Sequence, residues 1–398
     1  MFEMVDDNGQ KALIKVIGVG GCGGNAVDFM IEKNVQGVEF ICINTDLQAL
    51  KKSQASTIIQ IGDNLTKGLG AGSRPDTGKQ AAIDDKEKIV QAIQDADMLF
   101  ITAGMGGGTG TGATPIIAQA AKELGILTVA VVTKPFDFEG RRTQIAKEGI
   151  SELVNYVDSL IVIPNEKLMG VLGEEVTFVD AFGAANNVLN SAVEGIAEII
   201  NNPGLINVDF SDVKTVMSEM GVAVIGSGFS EGPDRAISAA KEAVSCPLLE
   251  EVNLNNAKGI LVNISASKDF KMREYFEVMD HIKKYAAENA SIIVGSVIDD
   301  SLNNHLRVTM VATGLSTPVN SIEPHPDDEM ETSGLNNQDT NVIEEINFST
   351  EGSNGINVFE ENLEGGVELS GIGDDDEYDT PSFLRSRDKE KNDFSKND

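Results

Sequence analysis

Gly104-Met-Gly-Gly-Gly-Thr-Gly-Thr-Gly112 sets six glycines and two threonines between an apolar run, Met98 to Ala103, and a helical pattern starting near Thr114. A strand that ends in bare backbone and hydroxyls just before a helix N-terminus is suited to phosphate oxygens. It is not a Walker A loop, because no Gly-Lys-Ser/Thr follows and no lysine neutralises the phosphates. Charge has to be met by amides, hydroxyls and a metal ion. The stretch reads as a nucleotide site.

Working outward, Ala12 to Val19 reads as a buried strand, Asn25 to Glu32 as a helix and Glu39 to Asn44 as a second strand. Further strands are expected at Thr57 to Ile61, Met98 to Ala103, Ile126 to Thr133 and Ser159 to Ile163, with helical periodicity between most of them. Such alternation predicts an α/β fold, a doubly wound parallel sheet with ligands at the carboxyl ends of the strands. Gly18-Val-Gly-Gly-Cys-Gly-Gly24 follows the first strand and satisfies Gly-x-Gly-x-x-Gly. The second strand ends Asn44-Thr-Asp46, which could reach a ribose or a phosphate-bound metal equally well. A third glycine stretch is Gly68-Leu-Gly-Ala-Gly72. Three such loops suit a polyphosphate held from several sides. The rival reading, a dinucleotide-dependent oxidoreductase, explains only the first.

Thr177 to Asn202 reads as a long helix ended by Asn202-Pro203-Gly204, a spine between two domains. On it Phe182 and Asn186 share a face, so a ring can stack on a base while the amide binds its edge. Beyond the spine, Asn207-Val-Asp-Phe-Ser-Asp212 is either a helix cap or a set of polar groups that polarises water. Phe182 and Asp209 are ~35 Å apart by helical rise. If both serve one nucleotide, a second copy must supply one of them. The segment from 208 to 316 reads as a smaller α/β domain with strands Val222 to Ile225, Gly259 to Ile264, Ile292 to Val297 and Leu306 to Thr313. Its helices are expected at Asp212 to Met220, Asp234 to Val244 and Met272 to Glu288.

The 398 residues carry a formal net charge of −32, which argues against nucleic acid as the main partner. Between Arg307 and Arg385 there is no lysine or arginine while eighteen aspartates and glutamates occur. After Ser316 periodicity fails, as in a disordered acidic linker. Cys22, Cys42 and Cys246 lack metal-ligand spacing and suit reduced thiols. No apolar run is long enough for membrane insertion and the N-terminus lacks a signal sequence, so a cytoplasmic protein is expected.

The loop 104–112, the turn Gly20-Gly-Cys-Gly-Gly-Asn25, the stretch Asn44-Thr-Asp46 and Asn207-x-Asp209-x-x-Asp212 together resemble the FtsZ family of bacterial tubulin-like division proteins, over about residues 12 to 316. The resemblance implies a GTPase that polymerises head to tail, with GTP or GDP and Mg2+ as cofactors, the metal held mainly by the phosphates. Phosphate contacts would come from Gly20, Gly21, Cys22, Gly23, Gly24 and Asn25, from Gly106, Gly107, Gly108, Thr109 and Gly110, and from Ala71 and Gly72, with Asn44 and Asp46 nearby. Glu139 and Arg142 would contact ribose, and Phe182 and Asn186 would hold guanine. Here Phe136-Asp-Phe-Glu-Gly-Arg-Arg142 is one residue short of the family spacing, and Arg142 is assigned over Arg141. Asn207, Asp209 and Asp212 of one subunit would position the attacking water in its neighbour. A third reading, a filament scaffold without hydrolysis, would leave these carboxylates as helix caps.

The chain's end matches too. Asp379-Thr-Pro-Ser-Phe-Leu-Arg385 resembles the family peptide that grips membrane-tethered adaptors such as FtsA and ZipA, through Asp379, Pro381, Phe383, Leu384 and Arg385. The implied location is midcell, under the inner membrane. The expected divisions are 1–176 GTP-binding, 177–207 central helix and connection, 208–316 C-terminal domain, 317–376 linker, 377–385 peptide and 386–398 tail.

Overall fold

Apolar strands and intervening helices alternate through the first 170 or so residues, and in the structure they form one face-to-face stack around a sheet. The structure, a computed structural model, describes residues 12–172, 177–201, 204, 206, 208–219, 221–245 and 257–315. All belong to the first of the chain's two units, Met1–Pro324. The linker, peptide and tail expected at 317–398 lie outside the described residues.

The first half runs β1 (Ile14–Val19), α1 (Gly20–Glu32), β2 (Val38–Asn44), α2 (Leu47–Leu50), β3 (Thr57–Gln60), α3 (Asp63–Thr66), α4 (Pro75–Asp84), α5 (Lys86–Ile93) and β4 (Met98–Gly104). It continues with α6 (Thr109–Glu123), β5 (Leu127–Lys134), α7 (Arg141–Leu153), β6 (Ser159–Pro164) and α8 (Asn165–Leu172). The second half comprises α9 (Phe178–Asn201), α10 (Phe210–Met217), β7 (Gly221–Glu231), α11 (Arg235–Val244), β8 (Ala257–Ala266), α12 (Met272–Ile282), β9 (Ala286–Ile298) and β10 (His305–Leu315).

One ten-stranded sheet has the order β3-β2-β1-β4-β5-β6-β7-β10-β8-β9. Its first six strands are parallel and doubly wound, so the order reverses between β1 and β4, where a crevice opens beyond the strand ends. The glycine loops after β1 and β4 are therefore neighbours in space. The join to the second half is short: β6 pairs with β7 over Ser159↔Gly221, Leu160↔Val222 and Ile161↔Ala223. Ser159 Oγ donates to Met217 O at 2.7 Å and Thr313 Oγ1 donates to Val216 O at 2.8 Å, tying the last turn of α10 to β6 and β10.

Apolar packing explains the layers. Ile17, Leu99, Ile101 and Val132 face α4 to α7 on one side, while Val16, Phe100, Val129 and Ile161 meet α1, α9 and α10 on the other. A third core joins α11 and α12 to β7, β8 and β10. The glycines of the spine allow close approach: a Cβ at Gly195 would lie 2.7 Å from Thr309 Cγ2.

Several boundaries differ from the sequence reading. Helix α1 starts at Gly20, not Asn25, because the glycine turn itself forms the first helical turns. Helix α6 starts at Thr109, not near Thr114, for the same reason, and α10 at Phe210 behind an Asp209 cap. Helix α12 stops at Ile282, and Ala286 to Glu288, good helix formers, instead open β9, whose pairing with β8 outweighs local propensity.

Candidate functional site

The crevice between β1 and β4 holds a cavity of about 290 Å³. Its floor is made of two helix starts. Neither α1 nor α6 has a side-chain cap or an acidic residue in its first turn, so the orphan N–H groups of both helices are left for a ligand. Gly20, Gly21, Cys22, Gly107, Gly108, Thr109 and Gly110 line the cavity. The two starts touch: at Gly20, whose φ is +72°, a Cβ would sit 3.0 Å from the Gly110 nitrogen. A Cβ at Gly21 or Gly107 would instead meet nothing within 4 Å. Side chains at those two positions would project into the space a phosphate group needs.

Other glycines and small residues support this floor without lining it. A Cβ at Gly23 would strike Thr102 O at 2.3 Å, and at Gly24 it would press on Cys42 Sγ at 3.2 Å, so both serve the packing of α1 on the sheet. Gly106, with φ +95°, passes beneath the Arg142 carbonyl, where a Cβ would be 2.6 Å away. Ala71 packs against Gly108, and Gly72 at φ +60° leads into Ser73, which does line the cavity. Asn25 is exposed on α1 and is not in the lining.

Asn44 and Asp46 act locally. The Asn44 amide oxygen accepts from the N–H of Thr45 at 2.8 Å and of Asp46 at 3.2 Å, and Asp46 caps α2 by accepting from Gln48 N at 2.8 Å. Neither lines the cavity. Their neighbour Thr45 connects to it, through a 2.7 Å hydroxyl contact with Thr109.

At the other end stand Glu139, Arg142 and Phe182. Glu139 accepts from Phe136 N at 3.0 Å and is paired with Arg142. Arg142 lines the cavity and Arg141 does not. Phe182, on α9, is 47% exposed and meets Phe136 in a T-shaped contact at 5.8 Å, so the ring is braced by the protein while the side chain remains accessible. Asn186, one turn further along, is half-buried and outside the lining.

The sequence reading missed Asn165. It opens α8 directly after β6, lines the cavity, is only 6% exposed, and its Oδ1 has no hydrogen-bond partner. A buried acceptor in a cavity wall is costly unless a ligand donor meets it. The available signal was its place: it follows a buried strand's carboxyl end, as the glycine loops do. Ser73, Thr133 and Pro135 were missed as well.

Cys22 reaches the solvent of the cavity yet is surrounded by protein. Desolvation pushes its thiol pKa up, against a contact with Thr133 Oγ1 at 3.6 Å. At neutral pH it is a small neutral wall group, not a thiolate nucleophile.

The acid loop is not part of this cavity. Asp209 and Asp212 are exposed past the far end of α9, where Asp209 caps α10 by accepting from Asp212 N at 2.8 Å. Asn207 lies outside the described residues. Among the described residues no group of three His, Cys, Asp or Glu side chains could hold a metal ion, and no helix is long and apolar enough to cross a membrane.

Comparison with known proteins places this architecture. Residues 13–173 match the Tubulin/FtsZ family GTPase domain, and residues 221–316 match the FtsZ family C-terminal domain. The cell division protein FtsZ of Pseudomonas aeruginosa is 59% identical over 316 residues, covering 79% of this chain and 80% of the relative. That of Coxiella burnetii is 56% identical over 318 residues, 80% and 82% of the two chains. Among solved structures, an empty FtsZ dimer from M. jannaschii superposes with a TM-score of 0.73 at 44% identity, over 76% of this chain and 88% of that one.

Proposed function

The chain belongs to the FtsZ family of tubulin-like cell-division GTPases, and from that premise we propose that it hydrolyses GTP only between head-to-tail copies, each lending Asp209 and Asp212 to its neighbour's cavity. The observation that carries this reading is the separation of two halves of a site. Phosphate and base groups gather at one end of α9, while the exposed carboxylates stand beyond the other.

In the binding half, the N-termini of α1 and α6 take the phosphate oxygens through Gly20 to Cys22 and Gly107 to Gly110. Glu139 and Arg142 face the ribose. Phe182 stacks on the base, and the unpaired Asn165 oxygen accepts from the donor edge of guanine, with Asn186 alongside. Adenine presents no ring N–H there, which gives guanine its advantage. The oxygen donors in the lining are chiefly Ser73, Thr109 and Thr133, with Glu139 already paired to Arg142. That set fits a magnesium ion carried mainly on the phosphates and near Thr109, where it would offset the charge that the loops do not neutralise.

The borrowed Asp209 and Asp212 orient and polarise the water that attacks the terminal phosphorus, so that GTP and water become GDP and phosphate. Positioning suffices for this role. Phosphate release per subunit is therefore expected to be near zero below a critical concentration and to rise steeply above it, in step with light scattering. Turnover proportional to protein at every concentration would show that each site is complete on its own.

Filaments are joined to the division apparatus through the C-terminal peptide, with Phe383 and Leu384 as apolar anchors and Asp379, Pro381 and Arg385 setting orientation. Replacing Phe383 with alanine should weaken adaptor binding by more than ~1 kcal/mol while turnover is unchanged. Impaired polymerisation of the purified variant, with adaptor binding intact, would instead make the peptide part of the filament.

A further inference from the structure

From the cavity onward, every fourth residue along one side of α9 is Phe182, Asn186, Asn190, Glu194 and Glu198. The last two meet a cation on the sheet. Arg307 of β10 places Nη2 2.6 Å from Glu198 Oε1 and Nη1 3.5 Å from Glu194 Oε1. The second oxygen of Glu198 accepts from Asn263 Nδ2 at 3.0 Å and Ser265 Oγ at 3.2 Å, both on β8. Asn190 Nδ2 donates to the second oxygen of Glu194 at 2.9 Å. Side chains of Glu198 and Arg307 are 18% and 23% exposed.

This cluster touches neither the cavity nor the acid loop, and apolar residues would hold two elements together at lower desolvation cost. What an arginine fork adds is direction, since it fixes its carboxylates in both distance and angle. The helix ends at Asn201. Beyond it Ile206 exchanges hydrogen bonds with Ser296 of β9, Val208 is buried, and Asp209 caps α10. A Cβ at Gly204 would lie 1.5 Å from Ser296 O, so the connection is also held close to β9. Between the clamp and the acids, the chain is thus fastened at Gly204, Ile206 and Val208.

We propose that Arg307 is a positioning residue for hydrolysis: it locks the last turns of α9 onto β10 and β8 and thereby fixes where Asp209 and Asp212 stand. This rests on the reading that those carboxylates act on a neighbour's nucleotide. The charged groups facing Glu198 among the described residues are Glu194 on its own helix and Arg307 on β10, while β8 presents the neutral Asn263 and Ser265. Burial raises the Glu198 pKa, Arg307 opposes this, and Glu194 adds to it. Without the guanidinium, two carboxylates are left facing each other, and neutralising Glu198 should restore the seam.

The test compares full-length Arg307→Met, Arg307→Lys and the double variant Arg307→Met/Glu198→Gln, with Asp212→Ala as reference. Arg307→Met should bind GTP normally as a subunit, while phosphate release per assembled subunit falls ~10-fold at saturating GTP, within the range of coupling effects. KM should change by less than about twofold, which separates positioning from binding. Its deficit should shrink as pH is lowered from neutrality toward the carboxylate range, and the double variant should recover most of the loss without acid. Arg307→Lys, which keeps the charge and loses the fork, should lie between. If Arg307→Met does not fold, Arg307→Lys carries the same KM and pH readouts, and Arg307→Lys/Glu198→Gln carries the recovery without acid. Unchanged turnover in these variants, or a loss shared equally with GTP binding and unrelieved by acid or by Glu198→Gln, would overturn the proposal. Normal turnover by Asp212→Ala would overturn the underlying reading of the acid loop instead.

Discussion

Asp212→Ala is expected to leave GTP affinity of the isolated subunit unchanged while lowering turnover by ~10² or more, the usual cost of removing a general base or water-positioning group. The variant is clean for a structural reason. Asp212 contributes its backbone N–H to the Asp209 cap, and alanine keeps that donor. The helix loses only a favourable charge in its first turn, about 0.3 to 1 kcal/mol. Asp209→Ala would remove the cap as well, at about 1 kcal/mol, and so confuses stability with chemistry. Equilibrium GTP binding below the assembly threshold and phosphate release above it measure the two quantities separately. Subunits of Asp212→Ala that do not bind GTP would place the acid loop in its own subunit's cavity.

The second large effect is the converse. Gly21→Val should leave the fold intact, because a Cβ at this position meets no protein atom within 4 Å. The branched side chain would occupy the space in front of the α1 N-terminus. Losing two hydrogen bonds to charged phosphate oxygens, at roughly 1.5 kcal/mol each, lowers affinity by about 10²-fold. Thermal unfolding without nucleotide should be within about 0.5 kcal/mol of the parent chain. Titration with labelled GTP measures the loss. The two variants also test each other: one has an intact cavity and the other intact acids. Mixed, they should regain turnover that neither has alone, whereas a self-contained site would give no recovery.

How far the sequence carried these conclusions depended on which physics each position expresses. The doubly wound half was legible because strands such as Met98 to Ala103 are buried on both faces and leave an unbroken apolar run. The glycine loops were legible because bare backbone before a helix has a specific use. What could not be read were outcomes of tertiary pairing. Ala286 to Glu288 have helical composition and become strand only because β8 is beside them. That Asn44 and Asp46 each use an oxygen to hold a local turn depends on backbone angles. Asn165 has no motif around it, and its burial with an unpaired oxygen exists only in the folded chain. The Arg307 cluster joins residues more than a hundred positions apart in the chain.

Helix α10 has a mechanical role by virtue of where it is fastened. The ladder between β6 and β7 has three paired positions, the shortest of the ladders that join the sheet's strands, so sliding or twisting of the sheet concentrates there. The last turn of α10 is stitched to both sides of that line, to Ser159 on β6 and to Thr313 on β10. Its first turn bears Asp212. The helix is therefore a brace across the seam: the halves of the sheet cannot shift against each other without straining α10.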